Sequence, residues 1–104
     1  MSYELRIIAG CPNSGEALEL FRSALEAEGR NGGAVRVREV GSDEESLALG
    51  FHGSPSFIAG GRDLFPADSP PALSCRLYLS PNGLAGLPSP ESLRTAMRCA
   101  GAEA

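Results

Sequence analysis

The sequence predicts an α/β domain, a mixed β-sheet with helices on both faces. Three observations indicate it: strand-like and helical segments alternate in the first half, Gly60-Gly61 fits a two-residue hairpin in the middle, and an amphipathic helix ends the chain. The length of 104 residues suits one domain over 1–104, because single domains usually contain about 100–200 residues. Two early βαβ crossovers followed by antiparallel strands would produce this sheet.

The first half of the chain predicts a strand, a helix and a second strand. Residues 4–9 read ELRIIA, which is typical of a strand buried on both faces. Over 14–28 the apolar residues recur at helical spacing, charged residues occupy the opposite side, and Gly29 follows as a natural stop. Residues 35–40 alternate apolar and charged side chains, as a strand does.

The second half predicts shorter elements. Ser42 and Glu45 have the spacing of a capping box, with the Glu45 carboxylate reaching back, and Gly50 ends the short helix that follows. The proline-rich run PADSPPALS has no periodicity and is predicted to be a loop. The remaining predicted elements are strands at 56–59, 62–65 and 75–79, a turn at 81–83, a helix that starts at 89–91, and a frayed tail at 101–104.

Composition and charge exclude several classes of function. The formal net charge is −4, and the nine basic residues are all arginines scattered along the chain, so we expect no nucleic-acid partner. No apolar run approaches the roughly 18 residues of a membrane span, and no export signal is recognisable at the N-terminus. We therefore expect a cytoplasmic protein without a membrane partner. Glycine and proline number 13 and 8, well above their usual combined share of about 12%, which predicts many turns.

The three cysteines do not suggest a structural disulfide framework, because their number is odd and no export signal is present. Cys11 follows the first strand and, with Pro12, precedes the first helix. Unpaired backbone amides and the positive end of the helix dipole favour a thiolate there, so we expect a modestly lowered pKa for the Cys11 thiol. The alternative is a small buried thiol at a strand end. Cys99, in the last helix, is expected to be structural or incidental.

Two short motifs carry a family resemblance. CPNS begins at Cys11 where the first helix opens, and GSPSF, which contains Pro55, opens the third strand. These motifs resemble the thioredoxin-like superfamily, in which a cysteine at the first helix faces a cis-proline before the third strand. They also resemble a narrower group of small thioredoxin-like proteins that share CPN, GSP and a late cysteine-arginine pair, here Cys75-Arg76; some of these carry a label related to organomercurial lyase. The resemblance covers most of the chain and implies a three-layer sandwich.

Ser14 is the main departure from the thioredoxin pattern. Thioredoxins have a second cysteine at this position, and a hydroxyl cannot resolve a mixed disulfide as a thiol does. By resemblance to monothiol CxxS sites, Ser14 would instead donate a hydrogen bond to the Cys11 thiolate; its alternative role is to cap the first helical turn. The resemblance further implies that the Ser54-Pro55 bond is cis and presents the Ser54 backbone to an extended peptide or a glutathione-like substrate.

Cys75 follows the proline-rich loop and has two functional interpretations. It would supply a resolving thiol for Cys11, or complete a two-thiol site for a soft metal such as mercury or copper(I). A third interpretation places it in a strand, facing the core. Arg76 would favour a thiolate or bind an anionic substrate, although an arginine on the surface needs no such role. His52, the single histidine, would orient a substrate or remain solvated.

Three functions remain open from the sequence. The first is a thiol-disulfide oxidoreductase with Cys11, Ser14 and Cys75 as catalytic residues, acting on glutathione or a protein thiol or disulfide. The second is a soft-metal or organomercurial binder, and the third is a non-catalytic module that docks peptides beside Pro55. No paired zinc-ligand motif or phosphate-binding loop occurs, so we expect no resident metal and no cofactor.

Overall fold

The computed structural model describes residues 2–67, 70–80 and 83–103. In these residues the chain forms six strands, three α-helices and one short 3₁₀ turn. Strands and helices alternate in the first half as the sequence predicts, whereas the strand at Gly83–Ala85 was not predicted. The elements are β1 (Tyr3–Ile7), α1 (Ser14–Ala27), the 3₁₀ turn (Gly32–Ala34), β2 (Val35–Glu39), α2 (Asp43–Leu49), β3 (Ser56–Ala59), β4 (Arg62–Asp63), β5 (Tyr78–Ser80), β6 (Gly83–Ala85) and α3 (Pro90–Glu103).

The main sheet has four strands in the order β2-β1-β3-β4, and β5 pairs with β6 in a separate two-stranded sheet. β1 and β2 are parallel, whereas β3 is antiparallel to both β1 and β4, which confirms the predicted mixed α/β sheet. The prediction of a second βαβ crossover is wrong. The connection through α2 leads into a strand that runs against β1 and β2, so only the first crossover joins parallel strands.

The hydrophobic core is formed by β1, β3, α1 and α3. Its centre is a chain of edge-to-face aromatic contacts that runs from Tyr3 through Phe21 and Phe57 to Phe65 and Tyr78. Such pairs contribute about 0.5–1.5 kcal/mol each beyond the area they bury. The apolar faces that the helical periodicity gives α1 and α3 thus pack against one face of the sheet. The fully buried side chains of this cluster include Leu5, Ala17, Phe21, Leu25, Phe57 and Leu93.

Ion pairs join α1 to α3 at the carboxyl end of α1. Glu28 accepts hydrogen bonds from Arg98 at 2.8 Å and from Arg94 at 3.0 Å. The guanidinium groups of Arg98 and Arg94 lower the pKa of Glu28 from 4.5 to about 2. The link therefore stays ionised at neutral pH.

The other face of β1 contacts the end of α2. Arg6 alternates with the core residue Leu5 and donates a hydrogen bond to the Leu49 carbonyl at 3.3 Å. The start of α2 matches the predicted capping box in one bond, because the Ser42 hydroxyl accepts the Glu45 amide. The Glu45 carboxylate, however, accepts the amide of Gly41 instead of the amide of Ser42.

Some predicted strands are shorter in the structure. The strand expected at 62–65 ends at Asp63, because the Asp63 carboxylate accepts the Phe65 amide and turns the chain. The strand expected at 75–79 begins at Tyr78, and Cys75 forms an isolated bridge. The first two residues of the predicted turn at 81–83 lie outside the described residues. The tail expected to fray is helical through residue 103, and within the described ranges no helix is long and apolar enough to cross a membrane.

Candidate functional site

One edge of the sheet collects most of the predicted site residues. β1 and β2 end there, and the antiparallel β3 begins there. Arg6 lies opposite Ser56 in the β1–β3 register, so Pro55 reaches the point where β1 gives way to the loop that carries Cys11. The pairing of β1 with β3 thus brings the CPNS and GSPSF motifs to the same end of the molecule.

Cys11 lies in a tight turn immediately before α1. Its amide donates to the Ile8 carbonyl, and its own carbonyl accepts the Ser14 amide, both at 3.3 Å. Pro12 therefore occupies the second position of a turn, and α1 begins two residues later, at Ser14. The Ser14 hydroxyl donates to the Cys11 carbonyl at 3.1 Å, so the hydrogen bond that this structure gives Ser14 supports the turn and not the sulfur. Cys11 is buried, with 8% of its surface exposed.

The Ser54-Pro55 peptide bond is cis, as the resemblance implied. The Tyr78 hydroxyl donates a hydrogen bond to the Pro55 carbonyl, and Ser54 is 1% exposed. Both backbone groups of Ser54 are already paired: its amide donates to Ser74 at 2.8 Å, and its carbonyl accepts from Arg76 at 2.9 Å. The expectation that Ser54 presents a free backbone to a peptide or to glutathione is therefore corrected, because a segment of the same chain occupies that position.

Cys75 is the middle residue of the segment that pairs with Ser54. It forms an isolated parallel bridge with Ser54, and a further hydrogen bond from the Ala72 amide to the Phe51 carbonyl joins the same two segments. The side chain of Cys75 is exposed, and neither it nor Cys11 is in a disulfide. Cys11 and Cys75 thus both border the segment that contains Ser54 and Pro55, Cys11 from the end of β1 and Cys75 through the bridge.

Arg76 has a structural role that differs from the predicted one. Its side chain is 9% exposed and forms an ion pair with Asp63 at 2.7 Å. It also donates to the Phe65 carbonyl, and its guanidinium carbon lies 4.8 Å from the centre of the Tyr78 ring. Because these contacts engage both terminal nitrogens of the guanidinium group, Arg76 anchors the segment that carries Cys75 instead of facing Cys11 or an anionic ligand.

Burial alternates along residues 75–79, and a charged side chain faces inward where the leucines do not. Arg76 and Tyr78 point inward, whereas Cys75, Leu77 and Leu79 are exposed. Leu77 and Leu79 are 62% and 78% exposed, which is unusual for large aliphatic side chains that follow one another on one side of an extended segment. Burial also raises the pKa of the Tyr78 hydroxyl above its ordinary range. The alternation of CRLYL was visible in the sequence, but which face it buries was not.

A cleft of about 510 Å³ lies beside this segment. His52 lines it, and the His52 Nδ1 and Ser54 Oγ atoms are buried without a hydrogen-bond partner among the described residues. Unpaired buried polar atoms are rare in folded proteins and call for an explanation such as a bound water or ligand. The lining residues are His52, Phe65, Pro66, Ala67, Ser74, Cys75, Arg76, Leu77, Tyr78 and Leu79.

A neighbouring cleft of about 580 Å³ shares His52, Pro66 and Ala67 with the first and reaches Cys99 on α3. Cys99 is exposed and lies outside the Ser54–Cys75 bridge. Across the described part of the chain, no group of three or more His, Cys, Asp or Glu side chains is arranged to hold a metal ion.

Comparisons with protein-family models, with curated proteins and with solved structures found no match to this chain. The assignment of function therefore depends on the geometry at this edge of the sheet.

Proposed function

We propose that this chain is a thioredoxin-fold thiol protein that forms mixed disulfides through Cys11 and Cys75. The observation that carries the proposal is the convergence of both cysteines on one segment: β1–β3 pairing brings the Cys11 loop to the start of β3, and the bridge to Ser54 brings Cys75 there. The mixed sheet with its three helices and the cysteine in the first β–α turn support a three-layer thioredoxin-like sandwich.

The two thiols complement each other in thiol–disulfide exchange. A thiolate attacks a substrate disulfide, forms a mixed disulfide and releases one substrate thiolate. The second cysteine then attacks the mixed disulfide, forms a Cys11–Cys75 disulfide and releases the other substrate thiolate. The substrate gains two electrons, the cysteine pair loses them, and an external thiol must reduce the pair again. Ser14 cannot perform the second step, because a hydroxyl does not resolve a disulfide.

The test is oxidation with glutathione disulfide followed by peptide mass spectrometry. Reduced protein is equilibrated with defined ratios of glutathione and glutathione disulfide, free thiols are blocked with iodoacetamide, and each cysteine is assigned. We expect a Cys11–Cys75 disulfide in the wild type and a persistent glutathione adduct at Cys75 when Cys11 is replaced by serine. Cys99 is an internal control, since it is exposed but lies outside the bridged segment.

Two outcomes would contradict the proposal. One is oxidation of Cys11 and Cys75 to no greater extent than Cys99. The other is formation of Cys11 and Cys75 glutathione adducts in the wild type that never convert to an intramolecular disulfide. In the second case the two thiols would act separately, and the soft-metal alternative, which needs both at one site, would lose its support as well.

A further inference from the structure

We infer that Cys75, and not Cys11, is the thiol that first meets the substrate, and that its cleft selects a disulfide flanked by uncharged apolar groups. This inference rests on the proposed function and assigns an order to the two thiols. It also names a substrate class, a cysteine with apolar neighbours in an extended peptide, in place of glutathione.

The difference in exposure between the two cysteines supports the order. Cys11 is 8% exposed and borders none of the clefts described above, whereas Cys75 is exposed and lines a cleft of about 510 Å³. Exchange requires the attacking sulfur, the attacked sulfur and the leaving sulfur to be accessible together. Cys75 offers this access in the structure as it is, so Cys11 is left with the second, internal step.

The apolar rim of the cleft supports the substrate class. Cys75 shares its exposed side of the segment with Leu77 and Leu79, and the cleft wall adds Phe65 and Pro66. A substrate with apolar side chains on either side of its cysteine would cover these leucines and remove them from water.

The charges of the cleft disfavour glutathione. Glutathione carries two carboxylates, and a site for it needs a cationic or amide donor that is free to bind them. The guanidinium group in the cleft wall belongs to Arg76, and Asp63 together with the Phe65 carbonyl already engages it. His52 also lines the cleft, but its Nδ1 atom is buried and so is not open to a substrate carboxylate.

The first exchange step at Cys75 needs no reactant other than the substrate disulfide. The Cys75 thiol loses its proton to solvent and attacks one sulfur of the peptide disulfide. A bond between Cys75 and that peptide forms, the peptide disulfide bond breaks, and the second peptide leaves as a thiolate that takes up a proton from water. Cys75 is oxidised, the leaving peptide is reduced, and no further reactant enters this step.

Two uncharged disulfide probes test the inference: the symmetric disulfide of N-acetyl-Leu-Cys-Leu-amide and that of N-acetyl-Ser-Cys-Ser-amide. The rate of exchange with each probe is measured for the double variant Cys11→Ser with Cys99→Ser, which retains Cys75 as its single thiol. Each rate is divided by the rate at which the same probe reacts with free N-acetylcysteine amide. We expect the leucine probe to react about tenfold faster than the serine probe after this correction, because two leucine contacts are made on binding. Glutathione disulfide should show no acceleration.

Surface variants provide the matched control. Leu77→Ser with Leu79→Ser should reduce the preference for the leucine probe to within about twofold. Leu84 pairs with Leu79 across the β5–β6 sheet and is 66% exposed, but it does not line the cleft. Leu84→Ser should therefore leave the preference for the leucine probe unchanged. Circular dichroism of each variant verifies that it is folded.

The outcomes separate this inference from the proposed function. If Cys75 reacts with both probes at the rate of the free thiol, or prefers glutathione disulfide, the inference is overturned. If under the same conditions the wild type still forms the Cys11–Cys75 disulfide, the proposed exchange function stands without the substrate class inferred here. If that disulfide does not form either, both fail.

Discussion

Cys11 and Cys75 lie at the same edge of the sheet, but contacts of different range hold them there. The turn at Cys11 is closed by backbone hydrogen bonds to Ile8 and Ser14, both within three residues in the chain. Cys75 is held by the bridge to Ser54 and by its neighbour Arg76, whose ion pair with Asp63 spans 13 residues. One thiol is therefore positioned by local backbone geometry and the other by a buried charge.

Removal of the Arg76 guanidinium should have the largest effect on the support of Cys75. Arg76→Ala should lower the free energy of unfolding by about 3 kcal/mol, because it leaves the Asp63 carboxylate, at 14% exposure, without its counter-charge. Urea denaturation measures the loss. Arg38→Ala is the control, since its pair with Glu45 is more exposed and should contribute less than about 1 kcal/mol.

A double variant separates the charge from the packing. Asp63→Asn retains an oxygen that can accept the Phe65 amide, so Arg76→Ala combined with Asp63→Asn should be less destabilised than Arg76→Ala alone. Equal losses for Arg76→Ala and Arg38→Ala would show that Arg76 does not anchor the Cys75 segment.

The contrast between local and long-range contacts also explains what the sequence could predict. The succession of main-sheet strands and helices along the chain followed from periodicity and from glycine stops, and the helix start after Cys11 is readable within a few residues. The bridge between Ser54 and Cys75 is not readable in this way, because it joins residues 21 positions apart through Arg76. An arginine between Cys75 and Leu77 suggests a surface position, and nothing nearby in the sequence identifies Asp63 as its partner.

The same limit applies to the candidate site. The motifs identified Cys11, Ser54 and Pro55, and the structure places the two motifs at one edge of the sheet. Leu77 and Leu79 were not predicted to line a site, because aliphatic residues in a strand-like run suggest a core. Their exposure follows from the burial of Arg76 and Tyr78 on the opposite side of the segment, which is a property of the tertiary contacts.

Substitution of two glycines, one beside each thiol, should have effects of intermediate size on the free energy of unfolding. Gly53 has φ of +116°, and an added Cβ would lie 3.0 Å from the Arg76 Cβ and 3.2 Å from the Ser74 carbonyl oxygen. Gly53→Ala should therefore cost about 2–3 kcal/mol, since backbone strain and the clash add. Gly10 has φ of +74° with no atom within 4 Å of an added Cβ, so Gly10→Ala should cost only about 1 kcal/mol.

The location of the damage matters as much as its size. Amide hydrogen exchange in Gly53→Ala should increase at Ser54 and Arg76, whose amides form the parallel bridge. In Gly10→Ala it should increase at Cys11 and leave Ser54 unchanged. If both variants lose protection at the same amides, the two thiols do not have the independent supports described here.

Ser14→Ala gives the smallest expected effect and decides between two roles for this hydroxyl. In the structure the hydroxyl donates to the Cys11 carbonyl, so its loss should cost about 0.5–1 kcal/mol of stability. The iodoacetamide rate of Cys11, measured with Cys75 and Cys99 replaced by serine, should then change by less than about threefold, since the sulfur loses no donor. If the hydroxyl instead stabilised the thiolate, its removal would lower that rate about tenfold at constant pH, the effect of one charge-assisted hydrogen bond. A fall of that size without loss of stability would show that the Ser14 hydroxyl stabilises the Cys11 thiolate and not the turn. Cys11 would then depend on a neighbouring side chain, as Cys75 depends on Arg76.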